Sequence, residues 1–254
     1  MLELTPIKTD KRFRFAYYQG QSDTLVMCCS GVGTKRGQMP PFELLRAASG
    51  DGAHSVLFIS DKTRSWLSAP GLQTEIVEQM ETLMARHTPK VLVAMGNSMG
   101  GFMALNLSRV LPTDVTIAFT PQYSVDKAIV PEETRWRHFR DKVEKFNVPC
   151  VENLPQNSGQ HYVFHGGEQA EHIHWSRFPV QENLRHYIFP AQDHNIAKAL
   201  KEQDLLAPII DACMSNHPRQ LRDLTRQAGG EWRNEKAYQR CQEFHHYEEI
   251  GETK

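Results

Sequence analysis

The chain has 254 residues, 40% of them hydrophobic, and a formal net charge of −1 with acidic and basic residues mixed along its length. That length and apolar content suit one large domain with a substantial core, while the balanced charge, with no basic stripe and no acidic tail, argues against a nucleic-acid partner. No segment reaches the ~18 consecutive apolar residues of a membrane span, and the opening MLELTPIKTDKRFRF lacks the apolar centre of a secretory signal.

In chain order, the first strand-like run is RFRFAYYQ (12–19), whose alternation suits an antiparallel edge. TLVMCC (24–29) is nearly continuous in apolar residues, as strands covered on both faces are. Its neighbours Cys28 and Cys29 should therefore point to opposite faces. PFELLRAA (41–48) opens with proline, which suits a first helical turn. SVLFIS (55–60) reads as the next strand. Residues 72–87, LQTEIVEQMETLMARH, place Ile76, Val77, Met80, Leu83 and Met84 on one helical face. KVLVAM (90–95) then leads into a helix over 99–110, and VTIAFT (115–120) forms a further strand.

A long connection follows, residues 121–160, containing the charged, amphipathic stretch TRWRHFRDKVEKF (134–146). That stretch is expected to be helical, and the connection to serve as a lid or binding wall at the sheet end. HYVFHG (161–166) and RHYIFP (185–190) are the last strands, and the polar residues 214–254, broken at Gly229-Gly230, read as appended helices. Strands alternating with helices imply a mainly parallel, doubly wound α/β sheet with right-handed crossovers. The expected organisation is a core over 1–213, with a lid-like insertion at 121–160 after the sixth core strand. Residues 214–254 are expected as a C-terminal helical extension of the same domain. The five cysteines, Cys28, Cys29, Cys150, Cys213 and Cys241, form no CxxC pair. They are expected as reduced, partly buried thiols of a cytoplasmic protein.

The stretch VLVAMGNSMGGFMALNLSRV (91–110) carries the chemistry. Gly96-Asn97-Ser98-Met99-Gly100 matches G-x-S-x-G, follows a strand and opens a helix. In that setting a serine occupies a strained strand-to-helix turn, and the glycines two residues away let neighbouring backbone pass. The serine oxygen then stands at the positive end of the helix, and the Met99 N–H can face a developing oxyanion.

With these residues the chain resembles the α/β-hydrolase family, from about residue 12 to residue 213. The resemblance implies that TLVMCC leads to an oxyanion loop, Ser30-Gly31-Val32-Gly33, in which Ser30 replaces the usual histidine. Val32 N–H would be the second oxyanion donor beside Met99. DKTRSW (61–66) is similar to a family segment whose glycines are missing here, which implies a differently shaped loop, and Asp61 is expected to hold the turn rather than to react. The family's chain order of serine, acid, histidine points to His194, in the polar loop after RHYIFP, as general base. The acid should follow HYVFHG, where the sequence offers Glu168 and Glu171 in place of the usual aspartate. Both stand as candidates.

The resemblance implies a serine esterase or thioesterase, or an acyltransferase, acting on a small-molecule acyl substrate with no cofactor. Tyr123, Trp136, Phe139 and Trp175 are candidates for an apolar pocket wall or for ordinary core. Two rival readings stand beside this one. His161, His165, His172 and His174 lie close in sequence to Glu168 and Glu171, which raises a metal site, although no HExxH is present. The other is a hydrolase scaffold that binds a ligand or partner without turnover.

Overall fold

The computed structural model describes residues 2–152, 154–156 and 159–247. Among these residues the apolar runs fold as strands of one nine-stranded sheet, which ends on each side in a short polar strand. In chain order these are β1 (Thr5–Thr9), β2 (Phe13–Tyr18), β3 (Thr24–Cys29), β4 (Ser55–Asp61), β5 (Val91–Asn97), β6 (Val115–Phe119), β7 (Gln160–Gly166), β8 (Leu184–Phe189) and β9 (Glu231–Trp232). Their spatial order is β1-β2-β4-β3-β5-β6-β7-β8-β9. Strands β3 to β8 run parallel, and β1, β2 and β9 join antiparallel at the two ends.

The helices between the strands are α1 (Leu45–Ala48), α2 (Leu72–His87), α3 (Met99–Leu107), α4 (Arg137–Arg140), α5 (Gln169–Trp175), α6 (Ile196–Glu202) and α7 (Leu206–Met214). Two more, α8 (Pro218–Gln227) and α9 (Glu235–His245), flank β9. The period of two along each strand sorts side chains between two cores. Leu25, Met27 and Cys29 of β3 pack with α2 and α3 on one face; Val26 and Cys28 pack with residues of α1, α6 and α7 on the other. Cys28 and Cys29 thus face opposite ways, and all five cysteines are free and buried. Such two-sided cover is why the central strands tolerate no polar alternation.

Helix α2 spans the whole expected stretch, burying Ile76, Met80 and Leu83 with Leu72, while Val77 and Met84 are partly buried against the same core. Three expectations need correction. The run 12–19 is not an edge: β1 lies outside it, and Lys8 of β1 is ion-paired with Glu75 of α2. The helix expected from 41 shrinks to α1, because Leu44 takes a left-handed φ of 55°. The helix expected over 134–146 shrinks to α4, preceded by Trp136 at φ 61°. There the side chains bind elsewhere in the protein: buried Arg140 donates to the carbonyls of Val125 and Glu133, and Asn147 bonds to Ser68. These long-range bonds override the local helical pattern. The 121–160 connection is therefore mostly irregular chain laid against the core. Its residues 153, 157 and 158 lie outside the described residues, as do 248–254 of the C-terminal segment.

The parallel strands bring the loops after β3, β5, β6, β7 and β8 to one end of the sheet. Sites form at that end in open α/β sheets. No helix among the described residues is long and apolar enough to cross a membrane.

Candidate active site

Ser98 sits between β5 and α3 with φ 54° and ψ −120°, a backbone conformation that side-chain-bearing residues rarely adopt. The surrounding fold holds it there. Ser98 N–H donates to the Phe119 carbonyl at 2.8 Å, and the Ser98 carbonyl accepts from Phe102 N–H at 3.0 Å. The turn needs both glycines: a Cβ on Gly100 would overlap the Cys29 carbonyl, and one on Gly96 would overlap the Gly100 backbone. β3, β5 and α3 approach one another this closely only because those side chains are absent.

His194 comes from the loop between β8 and α6. Its Nε2 lies 2.9 Å from Ser98 Oγ, and its Nδ1 lies 2.8 Å from Glu171 Oε1 in the first turn of α5. Of the two candidate acids, Glu171 is fully buried and faces His194. Glu168 stands outside the start of α5, part exposed, with Arg135 Nη1 at 3.9 Å as its charged neighbour. Glu168 is the N-cap of α5 with an extended backbone, φ −64° and ψ 155°, so its side chain leaves the helical register that aims Glu171 at His194.

Further residues complete the arrangement; of these the sequence had singled out Trp136 and His174, but not Gln122, Arg135 or Glu133. Gln122, fully buried just after β6, donates from Nε2 to Ser98 Oγ at 2.9 Å, and its Oε1 accepts from Trp66 Nε1 at 3.0 Å. Arg135 donates from Nη1 to Glu171 Oε1 at 2.7 Å and from Nη2 to Glu133 Oε2 at 2.8 Å. Glu133 Oε2 also lies 2.7 Å from Nε2 of buried His174. Trp136 places its ring 5.8 Å from the His194 ring. The signal available for Gln122 was its place at the carboxyl end of a central strand. For Arg135 there was none, since its charge fitted the expected charged, amphipathic helix.

The charges follow from these contacts. Burial alone would raise the Glu171 carboxyl, but the field and hydrogen bond of His194, together with Arg135, hold it well below the ordinary carboxylate range. Glu133 is likewise pushed by burial toward neutrality, yet the hydrogen bonds of His174 and Arg135 bring it down to about 2. Both carboxylates are ionised at neutral pH.

The loop after β3 is pinned from two sides. Arg64, almost wholly buried, donates to the carbonyls of Val32, Lys35, Gln38 and Lys62. Glu43 Oε2 accepts from Gly31 N–H at 3.4 Å and Asn97 Nδ2 at 3.3 Å, tying the loop to the Ser98 turn. Burial raises the Glu43 carboxyl above its ordinary range despite those donors. Asp61 accepts hydrogen bonds from Thr63 and Ser65 and so closes its own turn. Val32 is buried, and Met99 begins α3, where helical N–H groups have no carbonyl within the helix. Among the described residues no acceptor takes the N–H of either.

The remaining histidines are dispersed. His165 bonds to His186 and to the Pro121 carbonyl, and burial lowers it to about 3. His172 lies among Trp175, Tyr238 and Tyr247, and His161 near the Pro155 carbonyl. Among the described residues no three His, Cys, Asp or Glu side chains are placed to hold a metal ion. Of the aromatic candidates, Trp136 stands by the site; Tyr123 and Phe139 pack on one core and Trp175 is buried in another. Ser98 itself is 4% exposed. A cleft of about 910 Å³ lies between α1, α6 and α7 and reaches Asn97 and Glu43, but Ser98, His194 and Glu171 do not line it.

No protein-family model matches the chain, and no curated protein matches it in sequence. Solved structures do. An esterase of Pyrococcus furiosus is 16% identical with a TM-score of 0.53, over 80% of this chain and 89% of that one. An α/β serine hydrolase without lid from Xanthomonas campestris is 14% identical with a TM-score of 0.50, over 89% and 94%. The capsule O-acetyltransferase of Neisseria meningitidis serogroup A is 11% identical with a TM-score of 0.55, over 83% and 95%. Sheet order, elbow turn and these likenesses agree: the chain has the α/β-hydrolase fold.

Proposed function

We propose that the protein is a serine hydrolase that cleaves a carboxylic ester or thioester through an acyl-enzyme on Ser98. Residues 1–213 form its catalytic core and 214–254 an extension of the same domain. The observation that carries this reading is the continuous line from Ser98 Oγ through His194 to Glu171, with bonds of 2.9 and 2.8 Å. Three groups from three separate parts of the chain meet in the order that activates a hydroxyl.

Gln122 gives that line its direction. An amide Nε2 only donates, so Ser98 Oγ accepts from Gln122 and sends its own proton toward His194 Nε2. This requires His194 to carry its hydrogen on Nδ1, facing the Glu171 carboxylate. In the reaction Ser98 Oγ attacks the acyl carbonyl carbon while His194 takes the hydroxyl proton. The oxyanion is held by the N–H groups of Met99 and Val32. The tetrahedral adduct collapses, and His194 returns the proton to the leaving alkoxide or thiolate. Water, deprotonated by the same histidine, then releases the carboxylic acid. An acceptor hydroxyl in place of water turns the same sequence into acyl transfer. Arg135 and Trp136, from the 121–160 connection, form the wall over His194 and Glu171 in which we see the lid-like part of the site.

The test is turnover of a short nitrophenyl ester by the full chain, with intact-mass detection of the acyl adduct. The wild type should show an adduct mapping to Ser98 and lose both adduct and turnover in Ser98→Ala. Gln122→Leu, which removes the donor and keeps the volume, should retain the adduct and lower kcat about tenfold. A folded wild type with neither turnover nor adduct on nitrophenyl esters and thioesters would favour the non-catalytic binding scaffold.

A further inference from the structure

At the β9 end of the sheet, away from the loops that carry Ser98, His194 and Glu171, a second concavity of about 800 Å³ is walled by five arginines: Arg185, Arg219, Arg222, Arg226 and Arg240. We propose that it binds a small molecule carrying two or more phosphoryl charges. The inference is independent of the reaction at Ser98.

The arrangement begins in the sequence of α8. Arg219, Arg222 and Arg226 recur at i, i+3 and i+7, so they share one helical face. Leu221 and Thr225 take the opposite face and are buried against the sheet. Arg185 reaches the same space from β8, and Arg240 from α9. Three unconnected elements therefore send guanidinium groups to one place. Like charges at this spacing weaken a helix slightly and repel across a groove, a repulsion that an anion entering the concavity would relieve.

The protein's own carboxylates do not neutralise it. Glu231 is the acidic residue on the wall, and it pairs with Arg240 at 3.0 Å. Arg222 has only its exposed sequence neighbour Asp223, at 3.8 Å. Among the described residues Arg185, Arg219 and Arg226 have no ion pair, and Arg185 Nε is buried without an acceptor.

Chemistry and shape narrow the ligand. Guanidinium forks match the paired oxygens of phosphoryl groups, and several together favour more than one such group. The volume falls within the range of small-molecule sites. A nucleic-acid backbone would need a basic track running on beyond the concavity, and the chain's net charge of −1 with mixed signs supplies none. Trp232, 46% exposed and set against the Tyr187 ring at 5.4 Å, offers a flat apolar surface at the rim. It suits a planar group attached to the phosphates.

Titration calorimetry at about 0.15 M salt decides the matter, an ionic strength at which unspecific surface attraction is largely screened. The probes are inorganic pyrophosphate, ADP and, at equal ionic strength, sulfate. The expected result is saturable one-to-one binding of pyrophosphate, at least tenfold tighter than sulfate. It should weaken at least tenfold in the double variant Arg222→Gln/Arg226→Gln, whose circular dichroism should match wild type because both side chains face the groove. ADP bound more tightly than pyrophosphate, with the excess lost in Trp232→Ala, would identify a nucleotide; equal affinity would identify the phosphates as the whole determinant. Absence of saturable pyrophosphate binding overturns the proposal. So does binding unchanged in the double variant, or displacement of pyrophosphate by a single-stranded oligonucleotide at lower concentration.

Discussion

Glu171 keeps its charge in surroundings that would otherwise remove it. It is fully buried, and the histidine on one side and Arg135 on the other make ionisation favourable there. Its partner Glu168, three residues earlier, lies part exposed with a long contact to the same arginine. The two residues therefore separate cleanly by substitution. Glu171→Gln keeps the shape but loses the charge that fixes the imidazole, and kcat on a nitrophenyl ester should fall by about 10³ or more. Glu168→Gln should stay within about twofold, a difference read directly from steady-state kinetics. Ser98 and His194 were legible from a spacing, a glycine pattern and a chain order. The acid was legible only as a pair, because choosing between residues 168 and 171 needs the start of α5 and the direction of its first turn. Gln122, Trp66 and Arg135 act through contacts spanning tens of residues, such as Trp66 with Gln122 and Arg135 with Glu171. No local pattern encodes such contacts.

Among the elements, the tightest constraint is where β3, β5 and α3 meet. The sequence pattern named both glycines, and the structure supplies the reason: backbone of one element lies where a Cβ of another would be. Gly100→Ala should force the start of α3 off the Cys29 carbonyl and cost about 3 kcal/mol or more. Urea unfolding would read this as a lower midpoint at unchanged slope. A midpoint equal to wild type would contradict the packing described. Strands β3 to β8 were readable because burial on both faces leaves their sequences mostly apolar. Strand β1 was not, since TPIKT is nearly all exposed and presents no apolar side. The 134–146 stretch misled for the opposite reason: its helical period is real, but Arg135 and Arg140 bind carboxylates and carbonyls across the fold instead of facing water.

At the scale of the whole molecule, the 121–160 connection is fastened to the core by the chain His174, Glu133, Arg135 and Glu171. Glu133 is lowered from 4.5 to about 2. Its stabilising contribution is therefore complete above the unfolded value of 4.5 and disappears as pH falls toward 2. The depressed carboxyl of Glu171 acts with the same sign. Thermal midpoints taken from pH 7 to pH 2 should fall across this window in the wild type. Glu133→Gln should begin lower at pH 7 and lose less over the same range. Parallel curves for the two proteins would show that Glu133 does not carry the linkage.

The measurement that reaches the central claim most directly is reaction of the purified chain with a fluorophosphonate, followed by intact mass and mapped by peptide. Activation of Ser98 by His194 predicts one label per chain, on Ser98, absent in Ser98→Ala and slowed at least a hundredfold in His194→Ala. A folded wild type that takes no label, or takes it elsewhere, would contradict the account.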